Sequence, residues 1–191
     1  MIEMNMRKIE VVDYDPSWPA QFGAERAIIR RALGDVVVDI HHIGSTAMPG
    51  LAAKPIIDIL LEVGDLAALD AHNPDMDAIG YKPMGEFGIP GRRYFPKGGD
   101  NRSHQIHAFV CGDPNVGRHI AFRDYLWCHQ DVAQEYGELK RRVARACDND
   151  IGRYCDGKDA YVKRVEALAV EELTPSQAPE DTARKLADPQ R

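Results

Sequence analysis

The chain has 191 residues and a formal net charge of −6, and 44% of its residues are hydrophobic. This composition is typical of a folded protein, and its acidity argues against nucleic-acid binding through bulk charge, because phosphate binding relies on excess lysine and arginine. Apolar runs stay below the roughly 20 residues that cross a bilayer, and residues 1–7 lack the apolar stretch of a secretory signal. We therefore expect a cytoplasmic protein with neither a membrane nor nucleic acid as its partner.

The first half of the chain carries helix and strand signals in alternation. Ser17 can cap a first helix, and Pro19 stands in its first turn, where a missing N–H costs little. The run 56–63 is apolar at nearly every position, which predicts a central strand buried on both faces. In chain order we predict a helix over 17–33, a strand over 36–43, a strand over 56–63 and a short helix from Asp65 through Asp70.

The second half is predicted to hold a hairpin, one more strand and three helices. Gly88-Ile89-Pro90-Gly91 is a turn sequence, which predicts that the segments on either side of it pair. Apolar residues three and four apart, as in Tyr136, Leu139 and Val143, predict amphipathic helices further on. In chain order we predict strands over 81–87, 93–96 and 104–110, then helices over 116–129, 132–146 (capped by Asp131) and 159–173.

The predicted fold class is α+β, a small mixed β-sheet flanked by helices with a helical C-terminal third. Residues 1–173 are predicted to form a single domain. Residues 174–191 contain Pro175, Pro179 and Pro189 and few large apolar side chains, which predicts a polar tail with at most a short helix over 181–187.

The motif with the clearest chemical meaning is Gly44-Ser45-Thr46 at the end of one predicted strand, followed by Asp58 inside the next. Glycine permits close backbone approach, and the turn supplies N–H and hydroxyl donors that suit a phosphate. Asp58 interrupts an apolar strand, where a charge needs a partner or a metal. Two interpretations stay open: Asp58 binds a metal ion with a phosphorylated ligand, or it accepts a hydrogen bond that holds the turn.

The segment from His42 to Ile59 reads His-Ile-Gly-Ser-Thr-Ala-Met-Pro-Gly-Leu, then Ala-Lys-Pro-Ile-Ile-Asp-Ile after one residue. This pattern resembles the signature of the GrpB family (also called UPF0157), which is also seen fused to dephospho-CoA kinases. Further similar segments extend the resemblance over about residues 9–170: Tyr14-Asp15-Pro16-x-Trp18, Arg102-x-His104-x-Ile106-His107, Phe122-Arg123-Asp124-Tyr125-Leu126, Tyr136-x-x-Leu139-Lys140 and Tyr154-x-x-x-Lys158.

GrpB proteins are similar to the nucleotidyltransferase superfamily, in which a Gly-Ser turn precedes a strand with the sequence Asp-x-Asp. The resemblance implies that Gly44 and Ser45 hold a nucleoside triphosphate and that Asp58 binds Mg²⁺. Leu60 stands where the superfamily has its second carboxylate. Glu62, on the same face, lies about 13 Å from Asp58 at strand spacing. Metal-dependent transfer by two ions therefore lacks a ligand in this sequence.

Histidines are candidates for the missing ligand or for a general base. His104 and His107 lie on opposite faces of one predicted strand, so one of them at most faces the site, and we name His107 as the candidate catalytic residue beside Asp58. His42 alternates with Val38 and Ile40, which predicts an inward side chain. His42 and His104 remain additional candidates, each with an ordinary buried, hydrogen-bonded histidine as the alternative.

Basic residues are candidates for phosphate contacts. Lys54 stands between the Gly-Ser turn and Asp58, and Lys158 follows Tyr154 by one helical turn. Arg102, Arg92 and Arg93 surround the predicted hairpin, and arginine can bind phosphate oxygens in a bidentate manner. For Arg92 and Arg93 a solvated basic surface is the alternative.

These residues, together with the resemblance, favour two functions. The first is metal-dependent transfer of a nucleotidyl group from a nucleoside triphosphate to an unidentified acceptor, with Mg²⁺ as the cofactor. The second is a catalytically degenerate module that binds a nucleotide or another phosphorylated small molecule, which Leu60 favours. A metal-dependent hydrolase is a third and weaker reading, because the histidines lack the His-x-x-x-His spacing of zinc hydrolases.

Overall fold

A computed structural model describes residues 8–173, and the predicted tail at 174–191 lies outside the described residues. The observed class is α+β, as predicted. In chain order the elements are α1 (Trp18–Leu33), β1 (Val37–Ile43), β2 (Ile57–Val63), α2 (Leu66–Ala71), α3 (Asn73–Ala78), β3 (Arg93–Lys97), β4 (His104–Val110), α4 (Pro114–Cys128), α5 (Gln130–Ala146) and α6 (Ile151–Leu173).

The four strands form one mixed sheet in the order β1-β2-β4-β3. Strand β2 is antiparallel to β1 and parallel to β4, and β3 pairs antiparallel with the outer side of β4. In this register Asp58 stands opposite Ile43 on one side and Gln105 on the other. The end of β1, which leads into the Gly-Ser turn, is thereby held beside Asp58.

Two apolar cores cover the two faces of the sheet. Ile57, Ile59 and Leu61 of β2 pack with Ile29 and Leu33 of α1. The alternate residue Leu60 packs with Ile43, Phe109 and Val116, the last from α4, on the opposite face. Because side chains alternate along a strand, Asp58 belongs to the α4 face. A third cluster, which includes Tyr136 and Val165, joins α5 to α6 over the loop after β1.

The predicted strand over 81–87 is wrong in part. Tyr81 forms a single bridge with Lys97, and the N–H groups of Lys82 and Met84 donate to carbonyls of β3. Beyond that point Gly85, Phe87 and Gly88 have φ values of 60°, 45° and 86°, so the chain turns away. A run of left-handed residues cannot continue a strand, and the predicted hairpin is therefore half formed.

One helix begins far from its predicted start, and two predicted side-chain caps are not formed. Ser17 makes no side-chain capping bond, and His129, not Asp131, precedes α5. Helix α6 begins at Ile151, eight residues before the predicted start. Gly152 and Gly157 lower the helix propensity of its first turns, but Tyr154 is 1% exposed and packs with Ile9 and Cys147, which stabilises that segment. Among residues 8–173, no helix combines the length and apolar character needed to cross a membrane.

Candidate functional site

A cavity of about 290 Å³ lies between the α4 face of the sheet and helices α4, α5 and α6. We call it the lysine cavity. Its walls include the Gly44-Ser45-Thr46 turn and an excess of basic over acidic side chains. The charged members are Lys54, Asp58, Arg118, Lys140, Lys158 and Glu166.

The turn that follows the C-terminal end of β1 packs closely against Asp58. Gly44 has φ 68° and ψ −171°, a conformation open essentially to glycine alone. A Cβ at this position would lie 2.6 Å from Asp58 Oδ2. Ser45 to Ala47 then form a short 3₁₀ turn, with Ser45 on the cavity wall. Glycine is thus required by backbone conformation and by the carboxylate beside it.

Asp58 is held by a chain of hydrogen bonds that crosses three strands. Gln105 Nε2 donates to Asp58 Oδ1, and Gln105 Oε1 accepts from Tyr94 Oη at 2.8 Å. Arg102 Nη1 donates in turn to Tyr94 Oη at 3.0 Å. Because Gln105 Oε1 is occupied by Tyr94, its amide N–H faces Asp58. Burial raises the pKa of Asp58, while the Gln105 hydrogen bond and the positive charges of Lys54, Lys158 and Lys140 oppose that rise.

Three lysine ammonium groups surround Asp58, and each lies over an aromatic ring. Lys54 Nζ and Lys158 Nζ are 4.9 Å and 5.5 Å from the Tyr154 ring centroid. Lys140 Nζ is 4.5 Å from the Tyr136 centroid and donates to Ser45 Oγ at 2.6 Å. Cation–π contacts of this kind hold a charge in place without neutralising it. The cavity wall beside Asp58 therefore carries more basic than acidic side chains.

Arginine and glutamate form a separate pair on the cavity wall. Arg118 Nη1 lies 2.6 Å from Glu166 Oε1, and Nη2 donates to Asn115. The Arg118 charge is therefore balanced within the protein. The remaining basic residues of the cavity wall are the three lysines. Among the described lining residues, Asp58 is the carboxylate that remains to balance them.

Two histidines complete the polar wall, and both are neutral at physiological pH. Burial lowers the pKa of His107 to about 3, with further lowering by His119 and Arg92. Burial also lowers the pKa of His119 to about 4. Arg92 Nη1 lies 3.3 Å from His107 Nδ1. A guanidinium only donates, so Nδ1 accepts and Nε2 carries the proton, 4.0 Å from Asp58 Oδ1.

The comparisons with known proteins agree on the family. The sequence profile described as "GrpB protein" matches residues 8–168. The chain belongs to the GrpB family. The chain is 44% identical to UPF0157 protein YqkA of Bacillus subtilis (strain 168) over 163 residues, 85% of this chain and 48% of YqkA. It thus spans about half the length of that relative.

A solved GrpB structure gives the same result in three dimensions. The crystal structure of conserved protein GrpB from Enterococcus faecalis is matched with a TM-score of 0.82 at 39% identity, over 85% of this chain and 98% of that one. A dephospho-CoA kinase of Mycolicibacterium paratuberculosis (strain ATCC BAA-968 / K-10) is 29% identical over 182 residues, 81% of this chain and 44% of the kinase. The MgGTP-bound Cid1 poly(U) polymerase matches with a TM-score of 0.48 at 12% identity, over 69% of this chain and 42% of that one, too distant a likeness to transfer chemistry.

The structure brings together most of the residues that the GrpB motif and the sequence single out. Seven of them line the lysine cavity: Gly44, Ser45, Thr46, Lys54, Asp58, His107 and Lys158. Within it Thr46 is 1% exposed, and its hydroxyl lies 3.0 Å from His42 Nε2, so that hydroxyl is already engaged inside the protein.

Two of the additional histidine candidates lie on the opposite, α1 face of the sheet. His42 stacks on Phe22 of α1. Its side chain points inward, as predicted, but into the core between the sheet and α1, away from the lysine cavity. Val38 is exposed because the register of β1 shifts between Val37 and Asp39. His104 lies near Glu25 of α1, at 3.9 Å. Neither histidine lines the cavity.

None of the three arginine candidates is among the residues that line the lysine cavity. Arg92 is 6% exposed and donates to the carbonyls of Glu86 and Phe87, which holds the turn before β3. Arg93 forms a bidentate pair with Asp70. Arg102 lines a neighbouring cavity of about 190 Å³ and reaches Asp58 only through Tyr94 and Gln105.

Sequence reasoning missed Lys140, Gln105, Arg118 and His119 as site residues. A signal existed for the first two. Lys140 follows Tyr136 by four residues and so places a charge on the apolar face of an amphipathic helix. Gln105 shares a strand face with His107. Arg118 and His119 reach the cavity through the packing of α4, which no local pattern indicates.

Proposed function

We propose that this chain binds a nucleoside triphosphate, or another phosphorylated small molecule, in the lysine cavity. The observation that carries the proposal is the convergence of Lys54, Lys140 and Lys158 on one turn and one carboxylate. Lysines from a loop and two different helices leave an excess of positive charge in a partly enclosed space, and an anionic ligand relieves their mutual repulsion. The cavity volume is near the lower end of the range for small-molecule sites, about 300 Å³.

The Gly44-Ser45 turn supports a phosphate group in particular. Gly44, at φ 68° and ψ −171°, lacks a side chain and so lets the backbone approach a ligand closely. Lys140 reaches the same point through its bond to Ser45 Oγ. A phosphate seated there contacts hydroxyl and ammonium donors together, and these charge-assisted hydrogen bonds are stronger than neutral ones.

The donor set suits a magnesium ion that enters with the ligand more than a resident ion. Within residues 8–173 no group of three or more His, Cys, Asp or Glu side chains is placed to hold a metal. Leu60 is fully buried in the apolar cluster with Phe109, so it leaves Asp58 without a second carboxylate on its strand. Magnesium is often held by one carboxylate with substrate phosphates and water. Asp58 would be that ligand, and the ion would supply charge stabilisation for a phosphoryl group.

Nucleotidyl transfer is the second candidate, and the observation that favours it is the presence of Asp58 itself in the cavity wall. A carboxylate in an apolar strand has a desolvation cost, and at the wall of this cavity it is placed to bind a metal ion that accompanies a phosphate. His107 is poorly suited as the general base of such a reaction, because a pKa of about 3 is far from the working pH. In this role His107 instead presents an N–H donor toward Asp58.

Thermal unfolding with ligands tests the binding proposal. We expect ATP, GTP, CTP or UTP, or inorganic pyrophosphate, to raise the melting temperature of the wild-type chain, with a further rise when Mg²⁺ accompanies a triphosphate. Asp58→Asn should lose the Mg²⁺-dependent part and keep or increase the metal-free part, because it removes a negative charge that repels phosphate. No shift with any of these five ligands would overturn the proposal.

Release of pyrophosphate from the stabilising triphosphate separates the two candidates. Turnover that depends on Mg²⁺ and is lost in Asp58→Asn supports nucleotidyl transfer. Stabilisation without pyrophosphate release, across a panel of hydroxyl-bearing acceptors, supports a binding module.

A further inference from the structure

Lys140 is a lysine whose amine is almost fully buried and yet lines a ligand-sized cavity. The residue is 3% exposed, and its hydrogen-bond partner is the neutral hydroxyl of Ser45. Lysines are almost never this buried unless they are paired with an acid. An amine in such a place is held at the cavity wall, oriented by Ser45 and the Tyr136 ring, and reachable by whatever enters the cavity.

The surroundings of Lys140 disfavour its charged form more than those of an exposed lysine do. Burial lowers its pKa well below the ordinary lysine value, and the charges of Lys158, Arg141 and Lys54 lower it further, while Asp58 opposes them. Desolvation and neighbouring cations are the two means by which proteins activate lysine as a nucleophile, since only the neutral amine has a free electron pair.

We propose that Lys140 is a reactive amine that condenses with the carbonyl group of a phosphorylated aldehyde bound in the lysine cavity. The nitrogen electron pair attacks the carbonyl carbon and forms a C–N bond. The carbonyl oxygen takes up the two amine protons and leaves as water, so the product is an imine and neither oxidant nor reductant is needed. The proposal rests on the proposed phosphate site, since Lys54 and Lys158 hold the phosphate while Lys140 meets the aldehyde.

Pyridoxal 5′-phosphate is a suitable probe because it joins a phosphate to an aldehyde. The full chain is treated with it near pH 7, the imine is fixed with borohydride, and modified peptides are identified by mass spectrometry. We expect about tenfold more label at Lys140 than at Lys163, an exposed lysine of α6 whose pKa is raised by its hydrogen bond to Asp159. Labelling of Lys163 should rise about tenfold per pH unit between pH 7 and 9, whereas labelling of Lys140 should rise far less.

Two comparisons keep this proposal separate from the proposed function. Pyridoxal, which lacks the phosphate, should still label Lys140, but more slowly. Excess pyrophosphate should reduce the labelling of Lys140 by pyridoxal 5′-phosphate and leave its labelling by pyridoxal unchanged. If phosphate binding is absent, the two aldehydes label Lys140 equally and pyrophosphate gives no protection. If pyrophosphate stabilises the chain but label appears at Lys54, Lys158 or Lys163 in preference to Lys140, the reactive amine is disproved and the phosphate site stands.

Lys140→Arg is the matched variant, since it keeps a long basic side chain and cannot form an imine. We expect it to lose the adduct at position 140 while Lys163 is labelled as in the wild type. An unchanged total label, with an adduct still mapped to the peptide that contains position 140, would contradict the proposal. Should this variant fail to fold, the peptide map of the wild-type chain and its pH profile decide the matter without it.

Discussion

Gly44 and Asp58 lie so close that the protein has no room for a side chain at position 44. An ideal Cβ on Gly44 would approach Asp58 Oδ2 to 2.6 Å and Asp58 Cβ to 3.0 Å. The pair joins the end of β1 to the middle of the sheet at the wall of the lysine cavity. This close packing restrains both the turn and the orientation of the Asp58 carboxylate.

Replacing Gly44 by alanine should destabilise the fold through backbone strain and through this clash. Strain at a left-handed position costs about 1 to 3 kcal/mol, and displacement of Asp58 adds to it. Gly34→Ala is the control, because Gly34 has φ 55° but nothing within 4 Å of its Cβ position. Urea unfolding should give a larger loss for Gly44→Ala than for Gly34→Ala. Equal losses would show that the Asp58 contact has no energetic weight.

The Arg102–Tyr94–Gln105 chain should orient Asp58. In Tyr94→Phe, the Gln105 amide loses the hydroxyl that fixes its direction, and its oxygen can turn toward the carboxylate. We expect a loss of about 1 kcal/mol in the free energy of unfolding, together with a weaker Mg²⁺-dependent stabilisation by triphosphate. Tyr94→Phe and Gln105→Leu, made singly and together, test the coupling. Strictly additive effects on ligand stabilisation would contradict it.

His107 should make the protein sensitive to acid. Its folded pKa of about 3 lies below the ordinary value of 6.5, so the unfolded chain binds the proton first and stability is lost as pH falls from 6.5 toward 3. At pH 5 this amounts to about 2 kcal/mol. In His107→Gln the free energy of unfolding should therefore fall less between pH 6.5 and 5 than in the wild type. Parallel pH curves for the two proteins would contradict the assignment of a buried neutral histidine.

Much of the fold followed from local sequence patterns, and the failures have physical reasons. The apolar run of β2 and the helical spacing of Tyr136, Leu139 and Val143 were sufficient to predict those elements. The predicted strand that begins at Tyr81 ends early because Gly85, Phe87 and Gly88 have positive φ values. The early start of α6 depends on Tyr154, whose burial against Ile9 is a tertiary contact invisible in the local sequence.

The sequence predicted the site residues that are close to one another in the chain, but not those that only tertiary packing brings together. Gly44, Ser45 and Asp58 are close in sequence, and strand alternation separated His107 from His104. The local sequence does not show which face of the sheet is covered by which helices. The alternation around His42 therefore predicts an inward side chain but not the core that it enters. The sequence places Lys140 on the apolar face of α5, and the packing of that helix brings its amine to Ser45.

The most direct test of the phosphate site is calorimetric titration of inorganic pyrophosphate into the wild-type chain and two lysine variants on the same helix. Lys158→Gln removes a charge from the lysine cavity, whereas Lys163→Gln removes the same charge from an exposed position 72% accessible to solvent. We predict that the first weakens binding by about tenfold, as expected for the loss of one charge-assisted contact, and that the second leaves it unchanged. Equal affinities in all three proteins, or no measurable binding to the wild type, would contradict the account.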